Sequence, residues 1–170
     1  MWQTLPAQLF KENKKFMVSK IDKKGSLEQY SSAIQWLVDY GLIERSYNLS
    51  VPEFPLEGNK VPDVFKLFFT DTGLLIASLD EGTAGHVLSG ELGIYKGAIY
   101  EQSFADAYLK NNKKLYYYSK ESGLEIDFVT QNNGEVILIE VKAKDGRTKA
   151  GTEVLTHKEK YKDVVKMIRL

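Results

Sequence analysis

Two neighbouring segments, Glu125-Ile-Asp127-Phe-Val129 and Ile139-Glu140-Val141-Lys142, carry the residues best suited to chemistry. They set two acids and an amine on short apolar runs that read as adjacent strands. Glu140 and Lys142 are two positions apart, so on a strand both side chains leave by the same face. Glu125, Asp127 and Val129 share a face of their own strand by the same rule. Asn132-Asn133-Gly134 lies between the runs, and Asn-Gly is the strongest short hairpin signal. The two strands are therefore expected to be antiparallel neighbours, with Asp127 and Glu140 able to approach.

Two facing carboxylates repel unless a proton or cation lies between them. Magnesium, with manganese as the alternative, would suit Asp127, Glu140, the carbonyl of Val141 and waters. Lys142 would then stabilise an attacking hydroxide or a pentacovalent phosphate, and Glu101 would add a ligand or support one. Asp127, Glu140 and Lys142 are thus the candidate catalytic residues. The spacing alone leaves a plainer reading open. Ile126, Phe128, Ile137, Ile139 and Val141 would form a buried face, and Asp127 and Lys142 an exposed ion pair worth about 0–1 kcal/mol.

The elements that must position these groups can be read along the chain. Residues 3–15 read as a helix and 16–21 as a short alternating piece. Ser26 with Gln29 is a capping box opening a helix to Tyr40, with Leu27, Tyr30, Ile34, Leu37 and Val38 at helical spacing. Gly41 supplies the left-handed residue that ends it. Strands are expected over 42–48 and 64–70, joined by a connection punctuated by Pro52, Pro55 and Pro62. Short helices follow over 73–79 and 83–88. A helix over 94–111 is expected to face inward with Ile94, Ala98, Phe104, Ala105 and Leu109. Strands over 114–119, 124–131 and 135–143, a helix over 153–161 and a strand over 164–170 complete the order. Asp80-Glu81-Gly82 marks a boundary between residues 1–80 and 81–170.

The first of these blocks has the plan of a winged helix, with 26–40 in the recognition position and the hairpin as the wing. The chain has 170 residues, no cysteine and a formal charge of zero. Thiolate nucleophiles, disulfides and cysteine-based metal sites are excluded. No global field draws the protein to nucleic acid, so any attraction must be local. Two lysine-rich stretches, Lys11–Lys24 and Lys142–Lys149, are candidates. No apolar run approaches the ~20 residues of a membrane span, and no signal peptide is evident, so a cytoplasmic protein is expected.

The order helix, three strands, helix, strand, with Asp127 on the second strand and Glu140-Val-Lys142 on the third, resembles the PD-(D/E)XK nuclease superfamily. Glu101 falls where that superfamily often has a helical glutamate. A proline often precedes the aspartate there; here the sequence is Glu-Ile-Asp. Lys96-Gly-Ala-Ile-Tyr-Glu101, Leu115-Tyr-Tyr-Tyr-Ser119, Phe65-Lys-Leu-Phe-Phe-Thr-Asp-Thr-Gly-Leu-Leu75 and Trp36–Arg45 resemble the C-terminal region of a prokaryotic family of AAA+-type ATPases. There, an ATPase module precedes a winged helix and a nuclease-like domain of unknown function. The resemblance implies an α+β or α/β fold: a winged helix over 1–80, then a restriction-endonuclease-like αβββαβ domain over 81–170. No Gly-x-x-x-x-Gly-Lys-Ser/Thr loop is present, so no ATP site is expected in this chain. The expectation is a fragment or a truncated relative, partnered by an ATPase module and ending earlier than the family does.

Three functions fit these residues. One is a metal-dependent nuclease. The second is a DNA-binding module without catalysis, which the acids Glu28 and Asp39 on the recognition-position helix disfavour. The third is a protein-interaction or homo-oligomerisation module, with Tyr116-Tyr-Tyr118 and the wing as interfaces.

Overall fold

The computed structural model describes residues 1–11, 14–91, 93–142, 149–157 and 159–170. The helices are α1 (Leu5–Leu9), α2 (Leu27–Asp39), α3 (Thr72–Ala77), α4 (Thr83–Leu88), α5 (Lys96–Leu109) and α6 (Lys149–Thr156). The strands are β1 (Ile43–Leu49), β2 (Lys60–Phe69), β3 (Tyr116–Ser119), β4 (Glu125–Asn132), β5 (Glu135–Glu140) and β6 (Val164–Arg169). They form one mixed sheet in the order β2-β1-β3-β4-β5-β6. The protein is therefore of mixed α/β architecture. Among the described residues no helix is long and apolar enough to cross a membrane.

Local chemistry explains the better-defined elements. The Ser26 hydroxyl accepts from the Gln29 N–H at 3.4 Å, and the Gln29 side chain accepts from the Ser26 N–H at 2.9 Å. This capping box starts α2, and Gly41 ends it at φ 66°. α2 buries Ile34 and Leu37 and leaves Trp36 and Tyr40 in solvent. Asn133 and Gly134, both at positive φ, turn β4 into β5. The N-terminal segment differs from the expected long helix: α1 has one turn and a half, and residues 18–20 form a 3-10 turn where an extended piece was expected.

The hairpin expected as a wing is β1–β2, and it does not stand apart from the sheet. β1 pairs in parallel with β3 through Tyr47↔Tyr116 and Asn48↔Tyr117. Asn48 adds two side-chain bonds, accepting from the Ser119 N–H at 2.9 Å and donating to the Ser119 carbonyl at 3.3 Å. The hairpin thus extends the sheet that holds Asp127 and Glu140.

The core lies on both faces of that sheet. Ile137, Ile139, Val141 and Phe128 pack with Leu5, Leu9, Ile34 and Ala105. Val136, Leu138, Ile126 and Val129 pack with Tyr116, Tyr118, Val154 and Tyr161 on the other side. Ile126 and Phe128 therefore separate, against the expected shared face. The cause is an extra residue in β4: Ile126 pairs with Tyr118 but Val129 with Tyr116, three steps against two. Such a bulge flips the alternation and re-aims the side chain beside it, here Asp127.

Helix α5 buries Ala105 and packs Phe104 on the core as expected, but its buried residues also include Ile99 and the polar Glu101, Gln102 and Asp106. Its polar members close the edge of the sheet and the next helix. Gln102 accepts from the Phe69 N–H at 3.0 Å and donates to the Phe69 carbonyl at 2.7 Å. Asp106 accepts from the Thr72 N–H at 2.8 Å and hydroxyl at 3.0 Å. Buried amides and carboxylates satisfied this way cost little. The side chain of Ile94, expected to face inward, lies outside the described residues.

Candidate functional site

The β4–β5 pairing ends at Phe128↔Ile139, and the ladder leaves the next N–H without a strand partner. Asp127 supplies the acceptor: its Oδ2 takes the Val141 N–H at 2.9 Å. Val141 thus enters the site through its amide, beside the carbonyl expected as a ligand. On the far side β6 continues, with Leu170 donating to the Glu140 carbonyl at 3.0 Å and Lys142 donating to the Leu170 carbonyl at 2.9 Å. The backbone at Glu140 and Lys142 is thereby tied to the end of β6.

The Lys142 ammonium lies 3.2 Å from Glu140 Oε2 and 3.9 Å from Asp127 Oδ2. The three side chains expected to converge are therefore together at one end of the sheet. Glu140 is only 2% exposed. Gly151 of α6 passes against it. A Cβ there would collide with Met167 Sδ, whereas its 3.4 Å from Glu140 Oε1 is ordinary contact, so the glycine makes room for Met167 beside this carboxylate.

Glu101 reaches the same cluster from α5 and is 7% exposed. It is ion-paired to Lys14, a residue of the N-terminal segment. Burial raises the Glu101 pKa, the Lys14 charge pulls it back, and the Asp127 charge raises it again. Burial works against the Lys142 ammonium, but the carboxylates of Asp127, Glu140 and Glu101 outweigh it. Its pKa lies above the ordinary lysine value. Lys142 is consequently a fixed cation at neutral pH and cannot serve as a resting base.

Lys14 and Lys66 were not anticipated as parts of this site. Lys66 is 1% exposed, donates to Glu125 at 2.7 Å, and stands 4.6 Å over the Tyr117 ring. A lysine inside the apolar run Phe65-Lys66-Leu67-Phe68-Phe69 is the sequence signal for a buried, paired charge. Lys14 carries no such signal. Its place follows from the docking of its neighbours on β2, where Phe16 donates to the Phe65 carbonyl at 2.8 Å.

Among the described residues the cluster holds four carboxylates (Glu101, Glu125, Asp127, Glu140) and three ammoniums (Lys14, Lys66, Lys142). Glu101 Oε2 and Glu140 Oε1 are buried without a hydrogen-bond partner among them. Buried charge of this kind is costly unless something compensates it. No three His, Cys, Asp or Glu side chains gather as a ligand set among the described residues. Asp127 and Glu140 both lie within ion-pair distance of Lys142, and magnesium takes one or two carboxylates with water at its other positions. The hard oxygen donors present fit that ion. The basic stretch expected over Lys142–Lys149 falls largely on residues 143–148, outside the described residues.

Residues 96–169 match the model of a domain of unknown function (DUF4143), and residues 1–84 match that of another (DUF8612). Asp127, Glu140, Lys142 and Glu101 fall in the first match; Lys14 and Lys66 fall in the second. No curated protein and no solved structure matches the chain.

Proposed function

We propose that this protein is a nucleic-acid-acting domain in which Asp127, Glu140 and Lys142, backed by Glu101, hydrolyse phosphodiesters with a divalent cation. The observation that carries this reading is the convergence of two carboxylates and one lysine at the β4–β5 end, with one negative charge in excess and two carboxylate oxygens unpartnered. The order α5-β3-β4-β5-α6-β6, with β6 parallel to β5, supports a PD-(D/E)XK-like core. Helix α2 followed by β1–β2 supports a winged-helix-like element fused to it. The resemblance to AAA+-associated C-terminal regions supports a partner ATPase module.

Asp127 and Glu140 would hold the ion, with Glu101 beside them. When bound, magnesium supplies Lewis-acid polarisation of the phosphate and a more acidic water. Lys142, kept protonated by its acidic neighbours, offsets the charge that builds on the phosphate oxygens as the bond breaks. The amide of Val141 orients Asp127, and the bulge in β4 aims it.

The test is cleavage of plasmid and single-stranded DNA and RNA with magnesium, manganese or EDTA. Metal-dependent cleavage that Lys142→Ala and Glu140→Gln abolish, with both variants folded, is the expected result. Magnesium should also raise the wild-type melting temperature through binding to the native state. No cleavage with either metal, together with no thermal shift, overturns the catalytic reading. A second reading is favoured by Lys142 lying within ion-pair distance of both carboxylates: the cluster as the closed charge network of a non-catalytic module. Nucleic-acid binding without any cleavage is its signature.

A further inference from the structure

We infer that a second site, a basic cleft between the β1–β2 hairpin and the turn after α5, binds the backbone of a single-stranded nucleic acid. The cleft has a volume of about 440 Å³. Arg45, Lys60, Lys110, Lys113 and Lys114 line it against two carboxylates, Glu44 and Glu57. Lys110 is already committed to Asp106 at 2.7 Å and Asp71 at 3.2 Å. Four cations still outnumber the two acids. In a chain whose formal charge is zero, such a local excess decides where a polyanion goes.

The cleft is built by specific contacts as well as by charge. Asn112 takes a left-handed φ of 55° in the turn that brings Lys113 and Lys114 round to β3. Glu57 then fixes the rim: it accepts from the Tyr116 hydroxyl at 2.6 Å, lies 3.2 Å from Lys114, and is ion-paired to Lys60. Its carboxyl falls to about 2, through its bonds to Lys60 and Tyr116 above all. One carboxylate thus gathers two ammoniums and leaves each with donors to spare, since a lysine carries three.

Aromatic surface adjoins the cations. Tyr47 lines the cleft with the Lys60 ammonium 5.2 Å over its ring. Arg45 donates to the Gln35 side-chain Oε1 at 2.9 Å, and Thr70, also in the lining, donates to the Gly41 backbone carbonyl, which ties the end of α2 to this wall. There Trp36 and Tyr40 pack ring to ring at 4.3 Å and remain 53% and 67% exposed. Cations tracking phosphates beside exposed rings on which bases stack are the features that hold single strands. A duplex keeps its base faces covered and cannot use the rings.

This inference rests on the reading of the protein as acting on nucleic acid and not on cleavage. The cleft and the β4–β5 site share α5. Glu101 and Leu109 are eight residues apart, roughly 12 Å along the helix.

The test is fluorescence anisotropy of a labelled 20-nucleotide single strand on the full chain, across a salt series in EDTA. EDTA removes the cation, so failure to bind and failure to cleave are separate results. The wild type should bind more weakly as salt rises. Lys113→Ala with Lys114→Ala should weaken binding about tenfold at low salt and reduce the log–log salt slope by about 1.4, for two lost phosphate contacts. Lys113→Arg with Lys114→Arg should stay within about twofold of wild type, as should the control Lys162→Ala with Lys166→Ala, two exposed lysines at and beside β6 on the opposite edge of the sheet. Four results overturn the inference: no salt-dependent binding, an alanine pair that binds like wild type, tighter binding to a duplex of the same sequence, or displacement by inorganic phosphate at equal phosphate concentration.

Discussion

Replacing Lys142 by methionine keeps most of the length of the side chain, one atom short, and removes its charge. The Lys142 Nζ lies 3.2 Å from Glu140 Oε2 and 3.9 Å from Asp127 Oδ2. At an effective dielectric of about 20 these separations correspond to about 5 and about 4 kcal/mol before desolvation is subtracted. Stripping the partner from a fully buried pair costs about 3–5 kcal/mol. Glu140 is buried, but the Lys142 side chain is 41% exposed, so solvent screens much of this attraction. The net expectation is a loss of about 2 kcal/mol. For a chain of this size that is about 4–8 °C in melting temperature. Urea and thermal unfolding at pH 7.5 would measure it, beside Lys142→Arg, which keeps the charge and should retain most of the stability. In millimolar magnesium the methionine variant should recover more than wild type gains, because the two carboxylates then have a replacement cation. A methionine variant within 0.5 kcal/mol of wild type, indifferent to magnesium, would refute the electrostatic account of this site.

Three other perturbations probe separate parts of the molecule. Glu57 has its pKa depressed to about 2, so its contribution to stability is present above about pH 4.5 and is lost as pH falls through 2. Glu57→Gln should cost about 1 kcal/mol at pH 7, after allowance for its half-exposed side chain, and nothing near pH 2, read by urea unfolding at both pH values. The Tyr117 phenol is 2% exposed, and burial followed by the Glu125 charge raises its pKa. The unfolded chain ionises this tyrosine near pH 10 while the native state keeps it neutral, so stability falls as pH rises past 10. Tyr117→Phe should flatten that alkaline limb in a thermal series from pH 8 to 11. Ser26→Ala removes the reciprocal cap of α2 and should cost about 1 kcal/mol, with Ser26→Asp restoring most of it.

Much of the C-terminal half could be read from residue order because its signals are local. The Asn133-Gly134 turn fixes the β4–β5 hairpin, and the hairpin brings Asp127 and Glu140 to the same end of the sheet. The cap at Ser26 fixes α2 in the same way. What could not be read was set by longer-range geometry. The extra residue in β4 splits Ile126 from Phe128, and nothing in their types announces a bulge. The joining of β1 to β3 depends on tertiary packing, so a free wing and a sheet extension look identical in sequence. Lys14 lies beside Glu101 only because the N-terminal segment docks on β2. The polar part of the inward face of α5 escaped the apolar pattern because Gln102 and Asp106 are buried for their hydrogen bonds.

The parallel junction of β1 with β3 has only two residue pairs, and Asn48 lengthens it by mimicking a further peptide against Ser119. That seam is where the two matched halves of the chain meet in one ladder. A polypeptide spanning residues 96–170 alone would present β3 as a bare edge, with the backbone of Tyr116 and Tyr117 open to any extended chain. Its hairpin could then be lent by a neighbouring molecule, in a swapped dimer, or replaced by stacking into aggregates. Supplying residues 1–84 in trans should quench that tendency, and the repaired ladder would be the whole of the cure.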